Sequence, residues 1–527
     1  MRKRVIAGII GVFSVSGGAI AQPTTTVITH GLTLSSKGAW VQFMAEAVRA
    51  NGVSGGSVYR YDGATGKWRF LPLISDGSTE TVALIFNWVD ESDGVDVGAN
   101  WGYAQAASDA LVAALREARY LDGAGPGDLV TDRTLHLIGH SRGAIVMSEA
   151  AKRLVLDGIT VDQLTTLDPH PVNGITAGCF GVADNDWNDP DPQRWSRADG
   201  CAEVTFADNY FRFDSNGCDP SGQPVSNVHN VALVDVLGDN DAFDNDLFGA
   251  CPLEHTKVHA FYHGTVDLGA ASDGEGCDID NNWYTTTGVP GCATRACNGF
   301  FFSALGGGVS MRPAMGAGVE PAPVAVICNG GFDLGSYAGW SFHGGGGSGS
   351  ISASGFLGLG ASGGAMTHNR FFLPASADSL TYRRRINTAS PDDELVFAMT
   401  HLLTGAVTEL DRFSLGATDG AFVTRTLVLP IGLATGSYTL NISIDGGITG
   451  IESQVDLDDI DITVLATGCN PCPGDLNGDG IVDTADLGVL IGAFGTSDPT
   501  ADINGDGVVD TADLGILIGA FGVLCSP

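Results

Sequence analysis

The chain has 527 residues, too many for one ordinary domain, and its content of 44% hydrophobic and 17% charged residues supports buried cores. With 61 acidic residues against 26 basic ones the net charge is −35. That charge repels phosphate backbones and anionic membrane surfaces, so nucleic acid is excluded as a partner, whereas divalent cations suit it.

Arg2, Lys3 and Arg4 precede an apolar run over 5–20 that ends in Ala19-Ile20-Ala21. This pattern predicts a signal peptide over residues 1–21, a mature start near Gln22 and a secreted protein. No later run is long and apolar enough to predict a transmembrane segment. The 11 cysteines all lie at or after position 179. In an oxidising compartment they predict disulfides, with one thiol left over or intermolecular.

Over residues 22–308, strand-like runs at 25–29, 57–61, 81–89 and 134–138 and one ending near 167 alternate with helical patterns at 37–51, 101–120 and 144–156. Such alternation predicts a mostly parallel sheet with helices on both faces. Residues 177–250 are polar, with Cys179, Cys201, Cys218 and Cys251 inside or at their edge, and are predicted to be a disulfide-tied insertion. Trp187, Trp195, Tyr210, Phe211 and Phe213 either line a pocket there or serve structure. Residues 309–324, mostly Gly, Pro and Ala, predict a linker. Short alternating runs over 325–467 predict an all-β sandwich. Residues 468–527 hold a repeat pair.

The repeats read GDLNGDGIVDTADLGVLIGAFG (474–495) and ADINGDGVVDTADLGILIGAFG (501–522), identical at 18 of 22 positions. Each opens with Asp-x-Asn-x-Asp-Gly, placing oxygen ligands at loop positions 1, 3 and 5 and a sharp-turn glycine at 6, as calcium requires. Asp483 and Asp510 stand at position 9, Asp486 and Asp513 at position 12. The pair resembles a type I dockerin. The resemblance implies two Ca2+ ions, one held by Asp475, Asn477, Asp479, Asp483, Asp486 and the Ile481 carbonyl, the other by Asp502, Asn504, Asp506, Asp510, Asp513 and the Val508 carbonyl. It also implies a cohesin-like or cell-surface partner, bound through loop positions 10 and 11 and the following helix. Here those positions are Thr484, Ala485, Thr511 and Ala512, and the helices lack the Lys or Arg common in the family. Cys525 would clip to Cys469 or Cys472.

Gly139-His140-Ser141-Arg142-Gly143 follows the strand LHLI and precedes a helix. A serine in that context sits on a tight strand-to-helix turn with its hydroxyl presented. Its base and orienting acid should follow in the order acid, then histidine. Asp168 stands at a strand end in TTLDPHP, and CPLEHTKVHAFYHG offers His255, His259 and His263. Residues 24–270 resemble a secreted α/β-hydrolase of the lipase and esterase type. The resemblance assigns Asp168 as the acid and, among the histidines, His255 as the base; His259 and His263 become helix-face residues, His170 and His229 structural or loop ones. The oxyanion hole would combine the N–H groups of Arg142 and, after the His30-Gly31 pair, Leu32.

ICNGGFDLGSYAGWSF (327–342) and VDLDDIDITV (455–464) resemble the opening and closing strands of jelly-roll carbohydrate-binding modules. That resemblance places a structural calcium near Asp333 and Asp459; by the residues alone these are solvated acidic turns. The chain is thus expected to be multidomain: an α/β-hydrolase unit, a jelly-roll β-sandwich and a small α-helical calcium module. The expected function is a secreted serine esterase acting on lipid or acylated polysaccharide. The rival is a noncatalytic carbohydrate-binding or adhesion protein with a relic hydrolase fold.

Overall fold

The computed structural model describes residues 22–31, 39–88, 102–123, 125–169, 190–212, 222–233 and 254–522, apart from 334–335, 345–348, 353, 361–363, 369, 375, 431–432, 447–452, 465–473, 478–480, 499 and 504–507. The signal-peptide reading of 1–21 lies outside the described residues.

The N-terminal unit is built on β1 (Thr24–Thr29), β2 (Ser57–Asp62), β3 (Lys67–Phe70), β4 (Thr81–Phe86), β5 (Thr134–His140), β6 (Val161–Leu167), β7 (Val204–Phe211) and β8 (His229–Ala232). They form one sheet in the order β3-β2-β4-β1-β5-β6-β7-β8. Every pairing is parallel except β2 with β3. The helices are α1 (Ala39–Ala50), α2 (Tyr103–Arg116), α3 (Arg142–Leu156) and α4 (Glu254–Val266). Two apolar clusters cover the faces: Leu111, Leu115, Ile145 and Leu154 of α2 and α3 contribute to one, Val41, Met44, Phe261 and Tyr262 of α1 and α4 to the other. A sheet covered on both sides needs strands buried on both sides, and β1 and β4 are buried throughout.

Two readings need correction, and one open alternative is decided. The region 177–250 is no mere insertion, since β7 and β8 within it complete the sheet. Asp208 and Asn209 interrupt the apolar run that would have marked β7. The Asp208 carboxylate is buried yet satisfied, accepting from Thr165 Oγ1 (2.6 Å), Gln163 Nε2 (3.2 Å) and Tyr210 OH (3.0 Å). Trp195, Tyr210 and Phe211 are core side chains rather than pocket walls; Trp187 and Phe213 lie outside the described residues. Nor is 309–324 a free linker: Arg312 pairs with Asp162 (2.7 Å) and Val319 N–H donates to the Arg194 carbonyl (2.7 Å). A stretch short of side chains still carries backbone groups that pair wherever a partner edge is exposed.

Beyond this strap lie eleven strands: β9 (Trp340–Gly344), β10 (Gly349–Ile351), β11 (Leu357–Gly360), β12 (Gly364–His368), β13 (Phe371–Leu373), β14 (Ala377–Thr388), β15 (Glu394–His401), β16 (Val407–Ser414), β17 (Val423–Val428), β18 (Gly436–Asp445) and β19 (Gln454–Val464). They form two antiparallel sheets, β10-β11-β19-β14-β17 and β16-β15-β18-β12-β9, with β13 paired to β18. Phe332, Tyr382, Phe397, Leu440 and Ile462 are among the side chains buried between them. The sandwich leans on α2: Ser437 Oγ donates to the Ala113 carbonyl (3.1 Å), and the Arg116 guanidinium sits 4.2 Å from the Phe372 ring centroid. Asp459, read as a solvated turn, keeps a half-exposed side chain beside Arg383 (3.0 Å).

At the C-terminus α5 (Thr484–Ala493) and α6 (Thr511–Gly519) share a small core of Val482, Leu490, Val509 and Leu517. Cys292 is bonded to Cys297, and Cys277 is also in a disulfide. Cys328 is a buried thiol hydrogen-bonded to Asp109. The pairings expected of Cys179, Cys218, Cys251, Cys469, Cys472 and Cys525 involve positions outside the described residues.

Candidate functional site

Ser141 occupies the turn between β5 and α3 with φ 55° and ψ −129°. Left-handed backbone is costly for a residue with a Cβ and persists only where the surroundings impose it. The surroundings here are close-packed backbone. A Cβ on Gly139 would strike the Gly143 carbonyl, and one on Gly143 would strike the His30 carbonyl. The two outer glycines of the motif therefore let β5, α3 and the loop after β1 meet. Gly31 lies directly against Ser141: a Cβ there would overlap Ser141 Cβ and approach its Oγ at 2.8 Å. Among the described residues Ser141 Oγ makes no hydrogen bond.

Asp168 follows β6 with φ 44° and is fully buried. Its Oδ1 accepts from the backbone N–H groups of Arg212 (2.7 Å) and Gly222 (3.1 Å), while Oδ2 lies 2.6 Å from His255 Nδ1. The carboxylate is fixed by two donors and aims its other oxygen at one imidazole nitrogen. His255, near the start of α4, is buried, and its ring packs on that of His140, centroids 4.4 Å apart.

The other histidines are placed differently. His140 Nε2 meets the His255 carbonyl (3.0 Å), and burial pushes its pKa down to about 3, which keeps the ring neutral. His259 stacks on Trp40 (4.4 Å, 6° between planes) with Asp273 Oδ2 3.3 Å from Nδ1, and burial lowers its pKa too. His263 is lowered to about 4, again by burial. Of the three histidines of α4 only His255 reaches Asp168. His229 packs against Phe206 and Phe302, and His170 lies outside the described residues.

Arg142 opens α3 with its side chain fully buried, the guanidinium 5.7 Å from the Trp88 ring centroid. Leu32, the other expected oxyanion donor, lies outside the described residues. His30, two residues earlier, is braced from a direction invisible to motif reading: Trp88 Nε1 donates to the His30 carbonyl (2.9 Å), and His30 Nε2 contacts Asn87 Oδ1 (3.1 Å). Arg212, Gly222, Asn87 and Trp88 were not signalled by sequence; the first two act through backbone N–H groups, which any residue carries.

In the C-terminal module Asp483 and Asp510 cap α5 and α6, each accepting through Oδ1 from a backbone N–H two residues on (Ala485 and Ala512, both 2.7 Å). Asp486 and Asp513 close the reciprocal capping boxes and are fully buried. Asp486 gathers the N–H groups of Leu476 (2.7 Å), Asn477 (3.0 Å) and Asp483 (2.8 Å); Asp513 gathers those of Ile503 (2.7 Å) and Asp510 (2.8 Å). The described ends of each loop are thereby gathered on its twelfth residue. The halves cross-pair, Gly495 N–H to the Val509 carbonyl and Gly522 N–H to the Val482 carbonyl, both 2.8 Å.

The family model for the dockerin type I domain matches residues 473–522. This C-terminal module is a type I dockerin domain. No curated protein matches the chain. Among solved structures, a type II cohesin–dockerin domain from Bacteroides cellolosolvens is 44% identical over 10% of this chain and 92% of that one, with a TM-score of 0.10. TmCBM61, solved with β-1,4-galactotriose, is 12% identical over 27% of this chain and all of that one, with a TM-score of 0.20. The K1 cleaved adhesin domain of Lys-gingipain from Porphyromonas gingivalis is 16% identical over 24% and 92%, with a TM-score of 0.18.

The dockerin domain's donor set is all hard oxygen: carboxylates, an amide and the carbonyls of Ile481 and Val508. That chemistry fits calcium and suits zinc or copper poorly. Asp479, Asn504 and Asp506 lie outside the described residues, and among the described residues no three His, Cys, Asp or Glu side chains are grouped so as to hold a metal ion. No helix among the described residues is long and apolar enough to cross a membrane.

Proposed function

We propose that the protein is a secreted serine hydrolase of α/β-hydrolase type that cleaves carboxylic esters, lipid or acylated polysaccharide, and is displayed through its dockerin domain. The observation carrying this reading is the Asp168–His255 pair at 2.6 Å, in one buried cluster with the strained Ser141 turn. In the proposed reaction Ser141 Oγ attacks the ester carbonyl and His255 Nε2 takes its proton. Asp168 holds the imidazole and stabilises its charged form. His255 then returns the proton to the leaving alcohol, and water hydrolyses the acyl-enzyme by the reverse path. Hydrogen bonds of this kind commonly tighten only with substrate bound, which accommodates a Ser141 hydroxyl at rest. The N–H groups of Arg142 and Leu32 would receive the developing oxyanion.

In the dockerin domain we assign two calcium ions to the two twelve-residue loops. Their ligands would be Asp475, Asn477, Asp479, Ile481 O, Asp483 and Asp486, and Asp502, Asn504, Asp506, Val508 O, Asp510 and Asp513. Ions held there would neutralise clustered carboxylates and so stabilise the folded loops. The partner is a cohesin-like module. Labelling with a fluorophosphonate tests the catalytic reading: a covalent adduct on Ser141, absent in Ser141→Ala, is expected. Full p-nitrophenyl ester hydrolysis by Ser141→Ala would overturn the assignment of Ser141, and a parent protein that neither hydrolyses the ester nor takes the label would favour the noncatalytic binding protein.

A further inference from the structure

His140, the residue before Ser141, carries a side chain that the proposed reaction leaves unused. It closes β5, so its backbone sets where the Ser141 turn begins. Its ring is buried, and its Nε2 lies 3.0 Å from the carbonyl oxygen of His255. A carbonyl only accepts, so Nε2 carries the proton; the ring is neutral because burial holds its pKa at about 3.

His255 is the second residue of α4. The first turn of a helix is its least restrained part, since its N–H groups lack partners within the helix. The Asp168 bond fixes one nitrogen of the His255 ring, and the His140 bond fixes the backbone that carries that ring. The two rings also pack, with centroids 4.4 Å apart and planes inclined by 38°. A neutral neighbour at that distance leaves His255 able to take up charge, where a cation would oppose it. His140 is itself held in place. It meets Trp40 edge-on at 5.7 Å and His259 edge-on at 4.9 Å, and those two stack on each other at 4.4 Å.

We propose that His140 is a positioning residue for the ester hydrolysis: by donating Nε2–H to the His255 carbonyl and laying its ring against the imidazole, it ties the base to the strand that presents Ser141. The inference rests on the esterase reading, because a base needs register only with a nucleophile. His140 and His255 are 115 residues apart in sequence, while His140 is one peptide bond from Ser141. A single side chain therefore joins the two halves of the site. A displacement of about 1 Å between reacting groups can cost on the order of a hundredfold in rate.

The test measures p-nitrophenyl ester hydrolysis by the full chain, per active site counted by fluorophosphonate titration. His140→Phe keeps a ring and removes the donor; it should lower kcat per labelled site at least tenfold, with KM within twofold of the parent. His140→Gln places an amide N–H as many bonds from Cα as Nε2 is and should recover most of kcat. His140→Asn, whose amide is one carbon short of the carbonyl, should behave as the Phe variant does and has no ring to accommodate. In an Asp168→Asn background, His140→Phe should cost less than threefold more, since both changes act through His255. A purely structural role would instead reduce the number of labelled sites and leave kcat per site unchanged. That result, a Gln variant no better than Phe and Asn, or an undiminished tenfold loss on top of Asp168→Asn would overturn the proposal. A parent chain that neither hydrolyses the ester nor takes the label removes the esterase reading and this proposal with it. An active, labelled parent whose kcat is matched by His140→Phe removes this proposal alone.

Discussion

The N-terminal unit and the dockerin domain place their chemistry by opposite means. In the first, Asp168 and His255 are 87 residues apart in sequence, and eight strands with helices on both faces bring them together. In the second, every expected ligand of an ion lies within twelve consecutive residues, and the shared core is a handful of aliphatic side chains. A site assembled by a large sheet is rigid before any ligand arrives. A site made of one acidic loop on a small core depends on its ion to offset the repulsion it contains.

The contrast can be broken or sharpened experimentally. The largest effect is expected at the proposed nucleophile: Ser141→Ala should lower kcat for a p-nitrophenyl ester by a factor on the order of 10⁶ with an unchanged circular dichroism spectrum. Asp168→Asn should cost about 10⁴, because the amide no longer holds the imidazole in the required tautomer. Chelation of calcium should leave that activity intact while the dockerin domain loses its helical signal. With ion at a thousandfold its Kd, the lost stabilisation is about 4 kcal/mol, readable as a calcium-dependent melting transition. If chelation abolished hydrolysis and spared the C-terminal helices, the comparison drawn above would be reversed.

The smallest expected effect is pH dependence confined to the N-terminal unit. Burial holds His136 and His140 down to about 3, while the unfolded chain binds protons near 6.5. Their contribution is therefore complete above pH 6.5 and is lost as pH falls towards 3. Burial raises Asp109 and Asp208 to about 6. These acids act oppositely: their contribution is complete below pH 3.8 and is lost as pH rises through 6. Urea midpoints of the N-terminal transition should fall as pH drops from 6.5, less steeply below 6 where the acids compensate. His136→Gln should flatten that slope.

Much of the site was legible wherever the chemistry is local. The glycines of the Ser141 motif could be read because a strained turn under close-packed backbone tolerates few residue types. The dockerin loops could be read because the expected ligand positions repeat at fixed intervals. What stayed hidden depends on neighbours remote in sequence. Strand β7 carries a carboxylate mid-run, and only the approach of Thr165, Gln163 and Tyr210 makes that tolerable. His255, His259 and His263 all lie on one helix, and the turn of that helix against the end of β6 selects the one that meets Asp168.

The sequence by itself determined the dockerin domain, the identity of its expected ligands, the tight Ser141 turn and the alternation that builds a parallel sheet, because each is written in residue type and short spacing. Only the tertiary structure decided that 309–324 is pinned to the N-terminal unit, that β7 and β8 belong to its sheet, and that the sandwich docks on α2. Those outcomes rest on which surfaces meet, and surface complementarity between distant segments has no period or motif to carry it.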